Sequence, residues 1–319
     1  MNLRRTTMEQ RVRYYIRCKR SVGFQLKVEE GELLRFARYA DASGHRGAIT
    51  TELVLGWARE ARKSSRLYQA RRVETARCLA KFEAAFEPET EIPLRRLLGP
   101  AHQRIEPYLY SDEEVTSLIL AARALVPVDG LRPRTYATLI GLMASTGIRV
   151  CEALRLRRDD VQPSRRRLLI RDTKFHKSRL LPVHESVADA LAEYAHFRNE
   201  YEPAPSSDRF LLSEQGRAIS IGIAEYTFRK LRDLVGCKAN PRRRPPRLYD
   251  LRHTFACKKL ASWYQEGVDL NTCVAQLCTY LGHVKPTDTY WYLSATPQLM
   301  GAASDRFERF VELSGGGVS

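Results

Sequence analysis

Proline and glycine break the helical patterning of this chain between residues 91 and 107. Four residues that interrupt helices and favour an extended connection fall there: Pro93, Gly99, Pro100 and Pro107. With 319 residues, the chain is long enough for a separate hydrophobic core on each side of this break. We therefore predict an N-terminal domain, a linker and a second domain, over residues 1–98, 99–107 and 108–319.

The N-terminal domain is predicted to be all-helical. Apolar residues recur there at the three- and four-residue spacing of helices that bury one face. Two such stripes are Leu33, Phe36, Ala37 and Ala40, and Val54, Leu55, Trp57 and Ala58. Thr50 and Thr51 precede the second stripe and are suited to cap its helix.

The second domain begins with two predicted helices. Ser111 and Glu114 have the spacing of a capping box, in which each side chain satisfies a backbone N–H group at the start of a helix. The apolar stripe of that helix is predicted to contain Val115, Leu118, Ile119, Ala122, Leu125 and Val126. The next stripe contains Tyr136, Leu139, Ile140 and Met143. Its helix is expected to end at Gly147, because glycine readily adopts the left-handed conformation past a helix end.

Two short strands are predicted in the middle of this domain. Residues 167–171 and 179–183 have the leucine, isoleucine and valine content of strands, and the polar residues 172–178 separate them as in a hairpin. Helical patterns return from Leu251 onward. The chain is therefore expected to be mainly α-helical with a small β-sheet.

The charge of the chain favours a polyanionic partner. Lysine and arginine number 53 against 37 aspartates and glutamates, a net charge of +16. The first 100 residues contain 21 basic and 12 acidic residues, and the remainder contains 32 and 25, so both parts are basic. Nucleic acid is the predicted partner. A membrane surface is the alternative, but the chain has no long apolar run and no signal-peptide pattern at its start.

We accordingly expect a soluble, cytoplasmic protein that does not bind a membrane. Its seven cysteines are odd in number and scattered along the chain. Cys273 and Cys278 are too far apart for a Cys-x-x-Cys motif. We expect all seven to be reduced thiols, most of them buried.

Four segments of the second domain contain residues suited to chemistry on a phosphate. They are residues 146–154 around Arg149, 174–182 in the predicted hairpin, 249–256 around Arg252, and 281–283 followed by Tyr292. Each segment alone is unspecific, since an arginine after a helix-ending glycine and a lysine in a hairpin are common on protein surfaces.

The chemistry of a phosphodiester explains these residue types. Its non-bridging oxygens are negatively charged, so a catalyst must neutralise the charge that grows in the transition state. Arginine is permanently charged and presents a planar fork of donors to phosphate oxygens, and we predict Arg149 and Arg252 as the pair. Glu152, on the same side of a helix that begins at Arg149, is expected to orient that arginine. An ordinary surface glutamate is the alternative.

In this order, Arg149, Lys174, Tyr249-x-x-Arg252, Leu281-Gly282-His283 and Tyr292 resemble the tyrosine recombinase, or phage integrase, family. The resemblance covers residues 110–295, and the N-terminal segment is similar to the family's helical core-binding (SAM-like) domain. It implies a mixed α/β catalytic domain that clamps double-stranded DNA together with the N-terminal domain. It also implies site-specific breakage and rejoining of DNA, in integration, excision or resolution of a mobile element. The Tyr-Trp-Tyr-Leu-Ser-Ala-Thr-Pro sequence from Tyr290 is similar to recombinases carried by transposons.

The resemblance also implies roles for individual residues. Tyr292 is the expected nucleophile, and its phosphotyrosine conserves the energy of the broken bond, so no cofactor and no metal are expected. Lys174 matches the family's general acid for the leaving 5′ oxygen, because Lys177, Arg179 and Pro182 then keep the family's hairpin spacing. His283 is expected to donate a hydrogen bond to the phosphate. Tyr290 is the alternative nucleophile, although the spacing from Leu281-Gly282-His283 favours Tyr292.

Tyr249 departs from the family pattern, because most members carry histidine at this position. A phenol can donate one hydrogen bond to a phosphate oxygen. Its ordinary pKa of about 10 makes it a poor proton shuttle at neutral pH, which puts a general-base role at this position in question. His253, directly after Arg252, is interpreted as a structural or orienting residue and not as a substitute for the missing histidine.

Beyond Tyr292, Ser304 is predicted to cap a short helix with Phe307, Phe310 and Val311 on one face. In the family such a segment commonly docks on a neighbouring protomer, which implies a homo-oligomer, a dimer on each site and a tetramer in the synapse. Packing on its own domain is the alternative. Two other functions are considered for the whole chain: a catalytically inert DNA-binding regulator of the same fold, and a relaxing topoisomerase with the same chemistry.

Overall fold

The computed structural model of the chain describes residues 6–60, 65–102, 106–171, 178–237, 244–283 and 285–294. These residues form twelve α-helices and one three-stranded antiparallel sheet, which confirms the predicted mainly helical fold with a small sheet. The chain divides into two compact units, Met1–Arg104 and Ile105–Ser319. Within the described part of the chain, no helix has the length and apolar character needed to cross a membrane.

In the first unit, residues 6–60 and 65–102 form four helices, α1 to α4. Their bounds are Met8–Ser21, Lys27–Ala42, Thr51–Glu60 and Arg66–Glu83. The two apolar stripes predicted from sequence supply the centre of its core, where Phe36 packs edge-on against Trp57 with ring centroids 5.2 Å apart. Arg11 on α1 forms a buried ion pair with Glu83 on α4. The regular secondary structure of residues 6–60 and 65–102 is entirely helical, as predicted.

The described residues of the second unit form eight helices and the sheet. Helices α5 to α12 span Asp112–Arg123, Leu131–Thr146, Val150–Ala153, Glu185–Tyr201, Ile221–Val235, Asp250–Gln265, Leu270–Leu281 and Thr287–Ser294. Strands β1, β2 and β3 span Val161–Gln162, Arg167–Ile170 and Arg179–Pro182 and pair in that order. Leu168 pairs with Leu181 across the β2–β3 hairpin, and both side chains are buried. The hairpin strands confirm the prediction to within one residue, whereas β1 was not predicted.

Local sequence signals account for the ends of α5 and α6. Ser111 and Glu114 form the predicted capping box at the start of α5. Leu118 and Ala122 from the predicted stripe are buried, but Val126 is 72% exposed, so its assignment to the stripe was wrong. The reason is that α5 ends at Arg123, and the chain leaves the helical periodicity before Val126.

Gly147 ends α6 in the left-handed conformation, with φ of +61°, as predicted. A Cβ atom at this position would lie 2.5 Å from Cδ1 of Phe255 on α10 and 3.0 Å from a methyl carbon of Leu281 on α11. The glycine therefore permits both the turn of the chain and the close approach of two other helices.

A separate apolar cluster joins α10, α11 and α12. It contains Ala256, Cys257, Leu260, Cys273, Val274, Leu277, Leu281 and Tyr292. These helices thus form one packed body that places the end of α11 and the side chains of α12 against the first turns of α10.

Replacing Gly147 with alanine should destabilise the second unit. The substitution combines a left-handed backbone with a steric clash against Phe255, and we expect a loss of about 2 kcal/mol in the free energy of unfolding. Urea denaturation measures this loss. Gly222→Ala is the matched control, because nothing lies within 4 Å of its added Cβ in α9. Equal stabilities of the two variants would contradict this reading of Gly147.

Candidate active site

Tyr292 is buried at the centre of a cluster of cationic and imidazole side chains. Its side chain is 2% exposed, and its hydroxyl oxygen lies 3.2 Å from Nδ1 of His253 on α10. Burial raises the pKa of the Tyr292 phenol above its ordinary value, although the neighbouring Arg252 charge acts in the opposite direction. The hydroxyl is therefore held protonated in this arrangement. Tyr290 on the same helix is 45% exposed.

Arg252 is fully buried beneath this cluster. Its Nη1 donates to the carbonyl oxygen of Gly147 at 2.7 Å, and its Nη2 donates to that of Leu281 at 2.8 Å. Both acceptors lie at helix C-termini, where the helix dipole favours a cation. Nη2 also lies 2.9 Å from Nε2 of His283. The turns that end α6 and α11 thus supply the carbonyl oxygens that bind this guanidinium.

Arg149 is the second guanidinium of the site and is about a quarter exposed. It precedes α7, and its Nη1 donates to Glu152 at 2.7 Å while its Nη2 donates to the carbonyl oxygen of Gly282 at 3.0 Å. The carboxylate of Glu152 also accepts from the backbone N–H of Arg149 at 3.1 Å. The structure thus brings Arg149, Glu152 and Arg252 together around the end of α11.

Arg179 on β3 belongs to this arrangement, although the sequence pattern served only to place it in the hairpin. Its two terminal nitrogens donate to the two carboxylate oxygens of Glu152 at 3.1 and 3.0 Å, and its Nε donates to the carbonyl oxygen of Tyr280 at 3.1 Å. Burial alone would raise the pKa of Glu152, but Arg179 and Arg149 together lower it below its ordinary value. The carboxylate is therefore ionised, and it joins the hairpin to Arg149.

His283 connects Arg252 to α12. Its Nδ1 lies 2.7 Å from Oγ1 of Thr289, and its Nε2 faces Arg252. A guanidinium has donors only, so Nε2 must be the unprotonated nitrogen and Nδ1 must carry the proton. Burial, together with the charges of Arg252 and Arg149, lowers the pKa of His283 to about 4. To donate a hydrogen bond to a phosphate from Nε2, His283 would first have to separate from Arg252 and acquire a proton there.

Tyr249 and His253 lie one helical turn apart at the start of α10. Their rings are in edge-to-face contact with centroids 5.0 Å apart. The His253 ring also contacts Trp291 and Tyr292, at 5.4 and 5.5 Å between centroids. The sequence indicates a structural or orienting role for His253, and it does not predict the contact with the Tyr292 hydroxyl. Lys174 and Ser304, Phe307, Phe310 and Val311 lie outside the described residues.

This chain is similar to known proteins in both sequence and structure. Residues 110–298 match the model of the phage integrase family. A protein named as an integrase/recombinase, y4rB of Sinorhizobium fredii, is 37% identical over 95% of this chain and 98% of its own length. The tyrosine recombinase XerA of Thermococcus kodakarensis is 26% identical over 76% of each chain. A structure of the Tn1549 transposon integrase with transposon right end DNA shares the fold, with a TM-score of 0.68 at 15% identity over 95% of this chain and 99% of that one.

Removing Arg179 should destabilise the second unit well beyond the loss of a surface ion pair. Arg179→Ala leaves the buried Glu152 carboxylate without its bidentate partner, and we expect a loss of about 3 kcal/mol in the free energy of unfolding. Arg166→Ala is the control, because its pair with Glu185 is exposed and should contribute at most about 1 kcal/mol. Urea denaturation compares the two, and similar losses would refute the proposed role of Arg179.

Acidification should weaken the fold through the two buried imidazoles. Burial lowers the pKa of both His253 and His283 to about 4, whereas unfolded histidine titrates near ~6.5. Their stabilising effect is complete above pH ~6.5 and is lost as the pH falls toward 4, since the unfolded state then binds more protons. Stability should therefore drop between pH 7 and 5, and His253→Phe should reduce that drop. His196→Gln, on the exposed surface of α8, should leave the drop in stability unchanged. An equal drop in the wild type and in both variants would contradict this origin.

Proposed function

This chain belongs to the phage integrase family of tyrosine site-specific recombinases, and on that premise we propose that it cleaves and rejoins DNA through a 3′-phosphotyrosine at Tyr292. The observation that carries the proposal is the convergence of the Tyr292 hydroxyl with a buried arginine and two imidazoles, beside a second arginine. In this arrangement, the hydroxyl and the guanidinium groups can contact the same phosphate.

The two arginines would bind the non-bridging oxygens of the scissile phosphate. Arg149 is partly exposed and presents its guanidinium to an approaching strand. Within the described residues, Nε of Arg252 is buried without a hydrogen-bond partner, a costly state that a phosphate oxygen would relieve. The charge developing in the transition state would then face two guanidiniums held in place by the protein. Glu152 and Arg179 would hold Arg149 in place for this contact.

The covalent step exchanges one phosphoester for another. The oxygen of Tyr292 attacks phosphorus, and the bond from phosphorus to the 5′ oxygen of the next nucleotide breaks. We assign protonation of that leaving oxygen to Lys174, which follows β2 in the hairpin sequence. The 3′-phosphotyrosine keeps the energy of the broken bond, so a 5′ hydroxyl from a second site can reverse the step and join two strands without a nucleotide cofactor.

We further propose that the partner is double-stranded DNA and that both units bind it. The net charge of +16 is shared between the two parts of the chain, which supports salt-dependent contacts with phosphates along a recombination site. One protomer would occupy each half-site, giving a dimer on a site and a tetramer when two sites pair. The name of the 37% identical relative, integrase/recombinase, supports recombination of DNA, and integration, excision or resolution of a mobile element such as a transposon is the role we propose.

Tyr249 gives a specific reason to weigh a second function. If its phenol cannot replace the more usual histidine, the chain would be a DNA-binding regulator of the same fold without turnover. A relaxing topoisomerase would use the same chemistry without any preference for a site.

Covalent capture of DNA separates these functions. The substrate is a nicked suicide duplex carrying the sequence that the protein selects from a random DNA library, labelled on the strand that keeps the 3′ phosphate. We expect the wild type and Tyr290→Phe to form a covalent adduct, and Tyr292→Phe to form none while still binding the duplex.

Each other outcome has its own meaning. An adduct with Tyr292→Phe but none with Tyr290→Phe would refute Tyr292 as the nucleophile. Binding without any wild-type adduct would favour the inert regulator, and adducts on unrelated DNA would favour the topoisomerase.

A further inference from the structure

We propose that His253 accepts the proton of the Tyr292 hydroxyl during strand cleavage, in place of the histidine that is absent at position 249. The proposal rests on the proposed function of Tyr292 and identifies a second group in its reaction. Nδ1 of His253 lies 3.2 Å from the hydroxyl oxygen, within reach of direct proton transfer.

The surrounding rings fix His253 in this position. Tyr249, the residue before α10, is in edge-to-face contact with the imidazole, and Trp291 contacts it from α12, which also carries Tyr292. Because His253 follows Arg252 directly on α10, the acceptor and the phosphate-binding guanidinium belong to one turn of one helix. Movement of α10 would therefore carry both groups together.

Other neighbours of the Tyr292 hydroxyl are less suited to accept its proton. Arg252 has donors only, and Tyr249 carries a phenol of the same kind as the nucleophile. His283 uses Nε2 toward Arg252 and Nδ1 toward Thr289. Its ring is nearly parallel to that of Tyr292, with an interplanar angle of 22° and 6.2 Å between centroids. His253 is the imidazole whose nitrogen faces the hydroxyl oxygen.

Electrostatics set the protonation state that the step requires. Burial lowers the pKa of His253 to about 4, Asp250 opposes this, and Arg247, Arg252 and Arg244 reinforce it. The imidazole is therefore neutral at pH 7, with an unprotonated nitrogen available to the phenol. An incoming phosphodiester brings negative charge against Arg252, which would increase the basicity of the imidazole beside it. Basicity would thus rise when substrate binds.

Two protons move in the proposed cleavage step. The O–H bond of Tyr292 breaks and its proton moves to Nδ1 of His253, while the oxygen forms the bond to phosphorus. The bond from phosphorus to the 5′ oxygen breaks, and that oxygen takes its proton from Lys174. In rejoining, the 5′ hydroxyl returns its proton to Lys174, and His253 returns the other proton to the departing tyrosine.

His253→Asn provides the first test, because its amide can occupy the place of Nδ1 but cannot hold the transferred proton. Single-turnover cleavage of the suicide duplex should be slowed about 100-fold, the usual order for loss of a general base, with DNA binding unchanged. His196→Asn on exposed α8 is the matched control and should cleave at the wild-type rate. Circular dichroism and DNA affinity verify that each variant is folded.

Rescue of the chemistry distinguishes a proton acceptor from a positioning residue. A fluorinated tyrosine at position 292 has a more acidic phenol, which depends less on a base. Its incorporation should raise the cleavage rate of His253→Asn at least about 10-fold. A 5′-bridging phosphorothiolate, whose sulfur leaves without a proton, should rescue Lys174→Ala and not His253→Asn.

Wild-type cleavage by His253→Asn, or a slow variant that the fluorinated tyrosine does not rescue, would overturn the proposal while leaving Tyr292 as the nucleophile. Failure of the wild type itself to form an adduct would instead count against the proposed function and would remove the basis of this step.

Discussion

Arg252 carries a permanent charge with no exposure to water, and a guanidinium so placed must find acceptors inside the protein. It finds them in the carbonyl oxygens of Gly147 and Leu281, at turns that end α6 and α11 with a glycine in the left-handed conformation. The same two turns lead directly to Arg149 and His283. Satisfying one buried cation therefore positions two further residues of the site, and the packing of α10, α11 and α12 brings Tyr292 to the same place.

Much of this architecture could be predicted from local sequence, because the patterns that cap helices and form strands involve residues close together in the chain. The capping box at Ser111, the glycine that ends α6 and the leucine-rich strands of the hairpin are of this kind. Val126 shows the limit of periodicity, since apolar spacing continues past the point where the helix ends. Strand β1 has two residues and too little sequence to form a pattern.

The sequence predicted several residues of the candidate site but few of the contacts between them. Order along the chain selected Arg149, Arg252, His283 and Tyr292, which the structure brings together, and identified Glu152 as a partner of Arg149. The role of Arg179 depends on a pairing between β3 and Glu152 that no local rule encodes. The contact of His253 with Tyr292 likewise depends on how α12 packs on α10, and the sequence pattern favoured a structural or orienting role for this histidine. These long-range contacts are fixed by the packed core.

Mapping the DNA-linked residue tests the central assignment most directly. The wild-type protein would be trapped on its suicide duplex and digested with nuclease and protease, and the peptide that retains a nucleotide would be sequenced by tandem mass spectrometry. With Tyr292 as the nucleophile, we expect a 3′-phosphonucleotide on Tyr292 and an unmodified Tyr290. A nucleotide on Tyr290, or on any other residue, would contradict it.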